Sequence, residues 1–297
     1  MKRKMLLIYN PFSGKGKIRT WLSEIVEKFV SENYEIIIYA TQGQKDATRI
    51  IREYLKDHEF DRVVCAGGDG TLNEVVSGIM KSEKKPILGY IPAGTTNDFA
   101  YNLGISKNHI QAAKVVLKGK PFSCDVGMLN GSYFTYTAAF GIFTEVTYET
   151  LQSTKNVLGR LAYILEGIKR LPNWKSYKMS IISEDTTITG EFIYGMVTNS
   201  YSVGGFKGIT GKDIVLNDGF FEGIFVKVPK NVIGLQEIIN NLLTGNLDSD
   251  MIVSIPVKKI QIESKEPVPW TVDGEFGGEF DLVEIVNKQE AFTIMHK

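Results

Sequence analysis

The spacing of apolar residues changes partway along this chain. Before Phe122, unbroken apolar runs at 5–9, 36–39, 63–66 and 87–91 have the length of strands. Between them apolar residues recur at helical intervals: Trp21, Leu22, Ile25, Val26 and Phe29, then Ala47, Ile50, Ile51 and Leu55, then Leu72, Val75, Val76 and Ile79. Strands alternating with helices predict an α/β domain in which right-handed crossovers build a parallel sheet with helices on both faces.

After Phe122 the texture becomes short alternating stretches at 177–182, 187–194, 220–227 and 260–263, separated by glycines and polar turns. That pattern predicts a mostly antiparallel second domain. Within it Val157, Leu158, Leu161, Ala162, Leu165 and Ile168 mark an amphipathic helix ending near residues 170–172, whose apolar face either packs or meets a lipid surface.

Composition narrows the picture. A length of 297 residues exceeds that of most single domains and suits two. Lys plus Arg and Asp plus Glu are both 34, so net charge gives no reason to expect nucleic acid. Cys65 and Cys124 lack Cys-x-x-Cys spacing, which argues against a zinc site or disulfide framework and suits a reducing cytoplasm. The apolar run after Met1-Lys2-Arg3-Lys4 stops at Asn10-Pro11, too short for a signal peptide. No apolar stretch reaches the roughly 20 residues of a membrane span, so any membrane contact is expected to be peripheral.

Candidate chemistry lies in three turns that each follow an apolar run: Asn10-Pro11-Phe12-Ser13-Gly14, Gly67-Gly68-Asp69-Gly70-Thr71 and Gly94-Thr95-Thr96-Asn97-Asp98. In an open α/β sheet such turns gather along one edge, where glycines let backbone N–H groups approach a polyphosphate and helix N-termini face its charge. They predict a nucleotide site. Asp69 is expected to project its carboxylate from a surface turn, where magnesium could accompany the phosphates; alternatively Asp69 and Thr71 cap the next helix. The first turn is not a P-loop, because Ile18 and Arg19 follow Lys17. Asn10 and Ser13 either meet a ligand or make an ordinary Asx/Ser turn, and Asn97 or Asp98 either does the same or caps a helix.

In order and spacing these segments, with Asn73-Glu74 behind the second and Val272-Asp273-Gly274-Glu275 near the end, resemble the diacylglycerol kinase catalytic family, specifically its soluble bacterial lipid kinases. The resemblance covers nearly the whole chain. It implies an ATP-binding α/β domain at 1–122, a β-sandwich-like lipid domain at 123–290 and a segment, 291–297, returning to the first domain. It implies ATP contacts at Asn10, Pro11, Ser13, Gly14 and Thr41, along Gly67, Gly68, Asp69, Gly70, Thr71, Leu72, Asn73 and Glu74, and at Thr95, Asn97 and Asp98. Asp69 is then nearest the metal-bound phosphates. Glu275 corresponds to the catalytic base, with Asp218 and Asp125 supporting it and Asp273 beside it.

The resemblance further implies a structural magnesium held by the Asp218 carboxylate and the carbonyls of Val215 and Phe220, although Asn217-Asp218-Gly219 alone reads as a surface turn. The implied reaction is phosphorylation of diacylglycerol by ATP to phosphatidic acid. It would proceed in the cytoplasm at a bilayer surface, with Phe206, Ile209, Phe220 and Trp174 as lipid contacts or core residues. At 204–213 the chain departs from the family's glycine-rich turn followed by proline, which leaves the acceptor open. A sphingoid base or other lipid alcohol remains in view. So do NAD, whose kinases share Gly-Gly-Asp-Gly-Thr and Asn-Glu, a non-catalytic nucleotide-binding regulator, and a homodimer.

Overall fold

Strand β1 (Arg3–Tyr9) carries Met5, Leu6, Leu7 and Ile8, all fully buried, as a strand covered on both faces requires. In the computed structural model it pairs in parallel with β2 (Tyr34–Ala40) through Met5↔Ile36 and with β3 (Arg62–Gly67) through Leu7↔Val64. Strand β4 (Ile87–Pro92) continues the parallel pairing on β3 through Ala66↔Ile91. The crossovers contain α1 (Ile18–Ser31), α2 (Asp46–Asp57) and α3 (Asp69–Met80). Two further helices, α4 (Asp98–Asn102) and α5 (His109–Lys118), follow β4.

The structure describes residues 2–142, 175–203, 206–207, 210 and 214–297. They divide into two units, Met1–Val126 with Gln289–Lys297, and Gly127–Lys288. The chain leaves the first unit within β5 (Lys120–Leu129) and returns within a long last strand. The helix expected at 157–168, Trp174 and Ile209 lie outside the described residues. Of the departing segment 204–213 only Phe206–Lys207 and residue 210 are described.

The strands of the second unit are β6 (Ser132–Phe134), β7 (Thr137–Gly141), β8 (Tyr177–Ser183), β9 (Thr187–Thr198), β10 (Ser202–Val203), β11 (Phe206–Lys207), β12 (Phe221–Lys227), β13 (Ile252–Val257), β14 (Lys259–Val272) and most of β15 (Glu275–His296). Among its described residues the neighbouring strands β13, β12, β9, β7, β14 and β15 pair antiparallel. The main path runs β13-β12-β9-β7-β14-β15. Alternation along β12 sends Phe221 and Phe225 into an aromatic core with Phe140, Phe192 and Trp270. Ile224 and Val226 point the other way, onto Leu235, Ile238, Ile239 and Leu242 of α6 (Val232–Thr244). That helix went unread in the sequence, although Asn231 caps its start and Gly245, at φ +67°, ends it. The returning segment expected at 291–297 is the end of a longer strand: β15 begins at Glu275, and near its end Ile294 pairs in parallel with Leu88 of β4.

Helices α2 and α3 approach closely at Gly78, where a Cβ would lie 2.6 Å from Ile51 Cβ and 3.1 Å from the Thr48 carbonyl oxygen. Gly78→Ala should gain about 1 kcal/mol of helix propensity and lose about 1–3 kcal/mol to overpacking. We therefore expect a lower urea midpoint; a higher one would show that the interface yields.

Candidate active site

Because β1, β3 and β4 are adjacent and parallel, the turns that follow them leave from one edge of the first unit's sheet. Their backbones nearly touch. A Cβ on Gly94 would stand 2.6 Å from Gly68 Cα, and one on Gly14, which holds φ +53°, 2.1 Å from the Ala93 oxygen. Polar bonds bind the turns together. Ser13 Oγ accepts from the Gly68 N–H at 3.2 Å, and Asn10 Nδ2 donates to Thr71 Oγ1 at 3.1 Å. Asn10 Oδ1 also accepts from the Phe12 N–H at 2.9 Å, so the Asx turn and the contact with the second turn coexist. Asn97 is occupied within its own turn, accepting from Gly94 N and donating to Gly94 O at 2.9 and 2.8 Å.

Helix α3 begins where these turns meet, and its N-cap is Gly68, which supplies no side-chain cap. First-turn N–H groups lacking such an acceptor make a ready site for an anion. Asp69 is half-buried, and the helix it caps is not its own but α4, where it accepts from the N–H groups of Asp98 and Phe99 at 3.2 and 3.4 Å. Burial pushes its carboxyl above the usual range, against the pull of the backbone donors at 97–99 and the charge of Lys107.

Glu74 also has a structural task, its two oxygens accepting from the N–H groups of Lys45 and Ala47 at the start of α2. Asn73 Oδ1 accepts from Ser77 Oγ. Thr41 is buried with its N–H on the Tyr9 carbonyl; Pro11, Leu72 and Asp98 are buried and Thr95 is exposed. Asp125, also in this unit, is buried and its Oδ1 accepts from the Glu290 N–H at 2.7 Å, anchoring the returning chain.

In the second unit, Asp273 and Gly274 hold φ +49° and +82° between the paired Val272 and Glu275, the signature of a tight two-residue hairpin. The buried Asp273 carboxylate accepts four bonds: from Thr135 N and Oγ1 at 2.7 and 2.8 Å and from Tyr136 N and Thr137 N at 3.0 Å each. Burial pushes this carboxyl up to about 6, although the four donors favour its ionised form. With its oxygens engaged by these donors, Asp273 ties the hairpin to residues 135–137. Glu275, at the hairpin's exit, is exposed.

The same bracket reaches the Asp218 turn. The Tyr136 carbonyl accepts from Asn199 N, and Asn199 Nδ2 donates to the Leu216 carbonyl at 3.3 Å. Asp218 is exposed, with Oδ1 accepting from Phe220 N at 2.9 Å, which folds a short turn through Gly219 at φ +86°. Asp218 and the backbones of Val215 and Phe220 offer oxygen donors only, a set that fits magnesium retaining several waters. No group of three His, Cys, Asp or Glu side chains disposed around a metal occurs among the described residues, so an ion here would depend on those carbonyls.

Sequence reading missed Glu222 and Thr135. A buried Oε2 without a hydrogen bond marks Glu222, whose carboxyl is pushed up to about 7, first by burial and then by the charge of Asp218. Its one sequence signal is a carboxylate inside the apolar strand pattern 220–227.

Residues 4–129 match the diacylglycerol kinase catalytic domain family. The chain is 37% identical over 280 residues to a diacylglycerol kinase of Bacillus subtilis (strain 168), covering 94% of this chain and 91% of that protein. It is 34% identical over 280 residues to one of Staphylococcus carnosus (strain TM300), at 94% and 90% coverage. A crystal structure of a diacylglycerol kinase from Bacillus anthracis str. Sterne superposes with a TM-score of 0.79 at 26% identity, covering 99% of this chain and 97% of that one.

Asp69→Ala should cost about 1 kcal/mol of stability in urea melts, as loss of a helix cap does, whereas Asp69→Asn, which keeps an acceptor oxygen, should lose less. An unchanged midpoint in Asp69→Ala would show that the two bonds contribute nothing. For Glu222 the folded chain holds the proton more tightly than the unfolded chain, so in chelator stability should fall as pH rises from 4.5 to about 7. The slope is at most about 1.4 kcal/mol per pH unit for one proton. Glu222→Gln should flatten that part of the profile, and an identical profile in the variant would remove Glu222 as its source.

Proposed function

The chain belongs to the diacylglycerol kinase family and is a lipid kinase, and on that premise we propose that it transfers the γ-phosphoryl group of ATP to the hydroxyl of diacylglycerol, giving phosphatidic acid. The observation that carries the ATP half is the α3 N-terminus, capped by no side chain and set where three glycine turns meet. Backbone N–H groups of the Gly67–Thr71 turn and the α3 first turn receive the phosphates, which costs little reorganisation because Ser13 already holds the Gly68 N–H and Asn10 the Thr71 side chain. Asp69 lies at the same turns and holds α4 against them. Magnesium, when bound, neutralises phosphate charge and helps align the transferred group.

Glu275 accepts the proton of the acceptor hydroxyl as that oxygen bonds to the γ-phosphorus and the bond to the β–γ bridging oxygen breaks, leaving ADP. Its exposure suits a base that must meet a substrate from outside the fold, and Asp273 limits the movement of the hairpin carrying it. Asp218 with the carbonyls of Val215 and Phe220 would hold a structural magnesium. The acceptor resides in a bilayer, and no helix among the described residues is long and apolar enough to cross one, so turnover takes place with the protein docked on the surface.

Glu275→Gln tests the reading. Removing a positioned base costs roughly 10²–10⁴-fold in rate, and ATP affinity measured by calorimetry should stay near that of the parent. Near-parental turnover of diacylglycerol would overturn the assignment. An equal loss of affinity would instead place Glu275 among the nucleotide contacts.

A further inference from the structure

Asn199, the residue after β9, is 2% exposed, and its side-chain oxygen has no hydrogen-bond partner among the described residues. The rest of the residue is engaged: its backbone N–H donates to the Tyr136 carbonyl, and its Nδ2 donates to the Leu216 carbonyl at 3.3 Å. The second bond fixes which way the amide faces. A carbonyl only accepts, so the nitrogen is the atom turned toward Leu216 and Oδ1 the atom turned from it. Exchanging the two would set oxygen against oxygen and orphan a buried donor instead. Buried amide oxygens without a partner are rare, and one locked in place by its own nitrogen marks a position for a donor that is not part of the chain.

The surroundings of the amide decide what that donor is. Oδ1 lies within about 6 Å of the Leu216 oxygen, because only the two bonds of one amide separate it from Nδ2. Leu216 stands inside the short loop that Asp218 folds by accepting from Phe220 N, the loop whose Val215 and Phe220 carbonyls join the Asp218 carboxylate as oxygen donors. Magnesium held by one carboxylate and two carbonyls completes its octahedron with about three waters, whose hydrogens need fixed acceptors. Asn199 is too enclosed for a lipid or a peptide to reach its oxygen, whereas a water is small enough. We propose that Asn199 is a positioning residue for magnesium at the Asp218 turn, its Oδ1 accepting a hydrogen bond from a water on that ion while its Nδ2 holds the loop that supplies the carbonyls. The inference rests on the magnesium reading of this turn and adds the residue that ties the ion to the end of β9.

Calorimetric titration of the full chain with magnesium chloride, without nucleotide, tests this independently of turnover. The parent should bind magnesium and Asp218→Ala should not. Asn199→Ala should weaken binding roughly 10–100-fold, in addition to the lower melting temperature in chelator that loss of a buried side chain causes by itself. Asn199→Asp keeps an acceptor oxygen but not the donor to Leu216, so it should melt early in chelator like the alanine variant and yet bind magnesium far more tightly than it. If Asn199→Ala is too unstable to titrate, Asn199→Leu, which restores volume without either polar atom, takes its place. Early melting with parental magnesium affinity in the alanine or leucine variant would assign Asn199 to packing alone and overturn the proposal. Equal weakening in Asn199→Asp would overturn it too, because the Leu216 bond would then account for the loss. A parent that binds no magnesium, or whose binding survives Asp218→Ala, would remove the magnesium reading itself and the role of Asn199 with it.

Discussion

The first unit's site depends on two backbones meeting where no side chain fits. With Gly94 and Gly68 in near contact, the turns after β3 and β4 can share hydrogen bonds, and Gly14 closes the third turn onto Ala93. A side chain at any of these positions would push the loops apart and pull Ser13 from Gly68 and Asp69 from α4. The parallel order of β1, β3 and β4 brings the turns to one edge, and the glycines decide how close they come there. The bonds that follow make the backbone stiff before any ligand arrives, which is the condition for donors to act without reorganising.

The second unit solves a similar problem with charge instead of absence. A two-residue hairpin exposes Glu275, and a hairpin tip is usually the most mobile part of a sheet. Here four donors from 135–137 grip the Asp273 carboxylate inside the turn. Through Tyr136 and Asn199 the same segment reaches Leu216, next to the Asp218 turn. The exposed Glu275 carboxylate thus sits on a hairpin held by the buried Asp273 carboxylate, whose oxygens four donors engage.

What the sequence disclosed followed from range. Runs such as 5–9 and 63–66 fall inside β1 and β3 because an unbroken apolar strand and its flanking helices are local patterns. The turns were recognisable by their glycines. The partners of Asp69 were not, since nothing in Gly-Gly-Asp-Gly-Thr points to Asp98 and Phe99, and the same holds for Glu74 reaching back to Lys45 and Ala47. Asp273-Gly274 carries a hairpin signal in its composition, but its clamp on Thr135 joins residues far apart in the chain. Asn231 and Gly245 did bracket α6, whose apolar content hides its period. Glu275 owed its candidacy to family resemblance, because an exposed glutamate at a turn has no local mark of chemistry.

The pairing of Ile294 with Leu88 bears on how the protein is made. Until the segment around Ile294 leaves the ribosome, β4 lacks its strand neighbour on that side, although its residues 88–92 are destined for burial. An unpaired apolar strand edge is a template for pairing with other chains. The first unit is therefore synthesised early but sealed late, and throughout translation of the intervening β-rich segment its sheet remains open to a wrong partner.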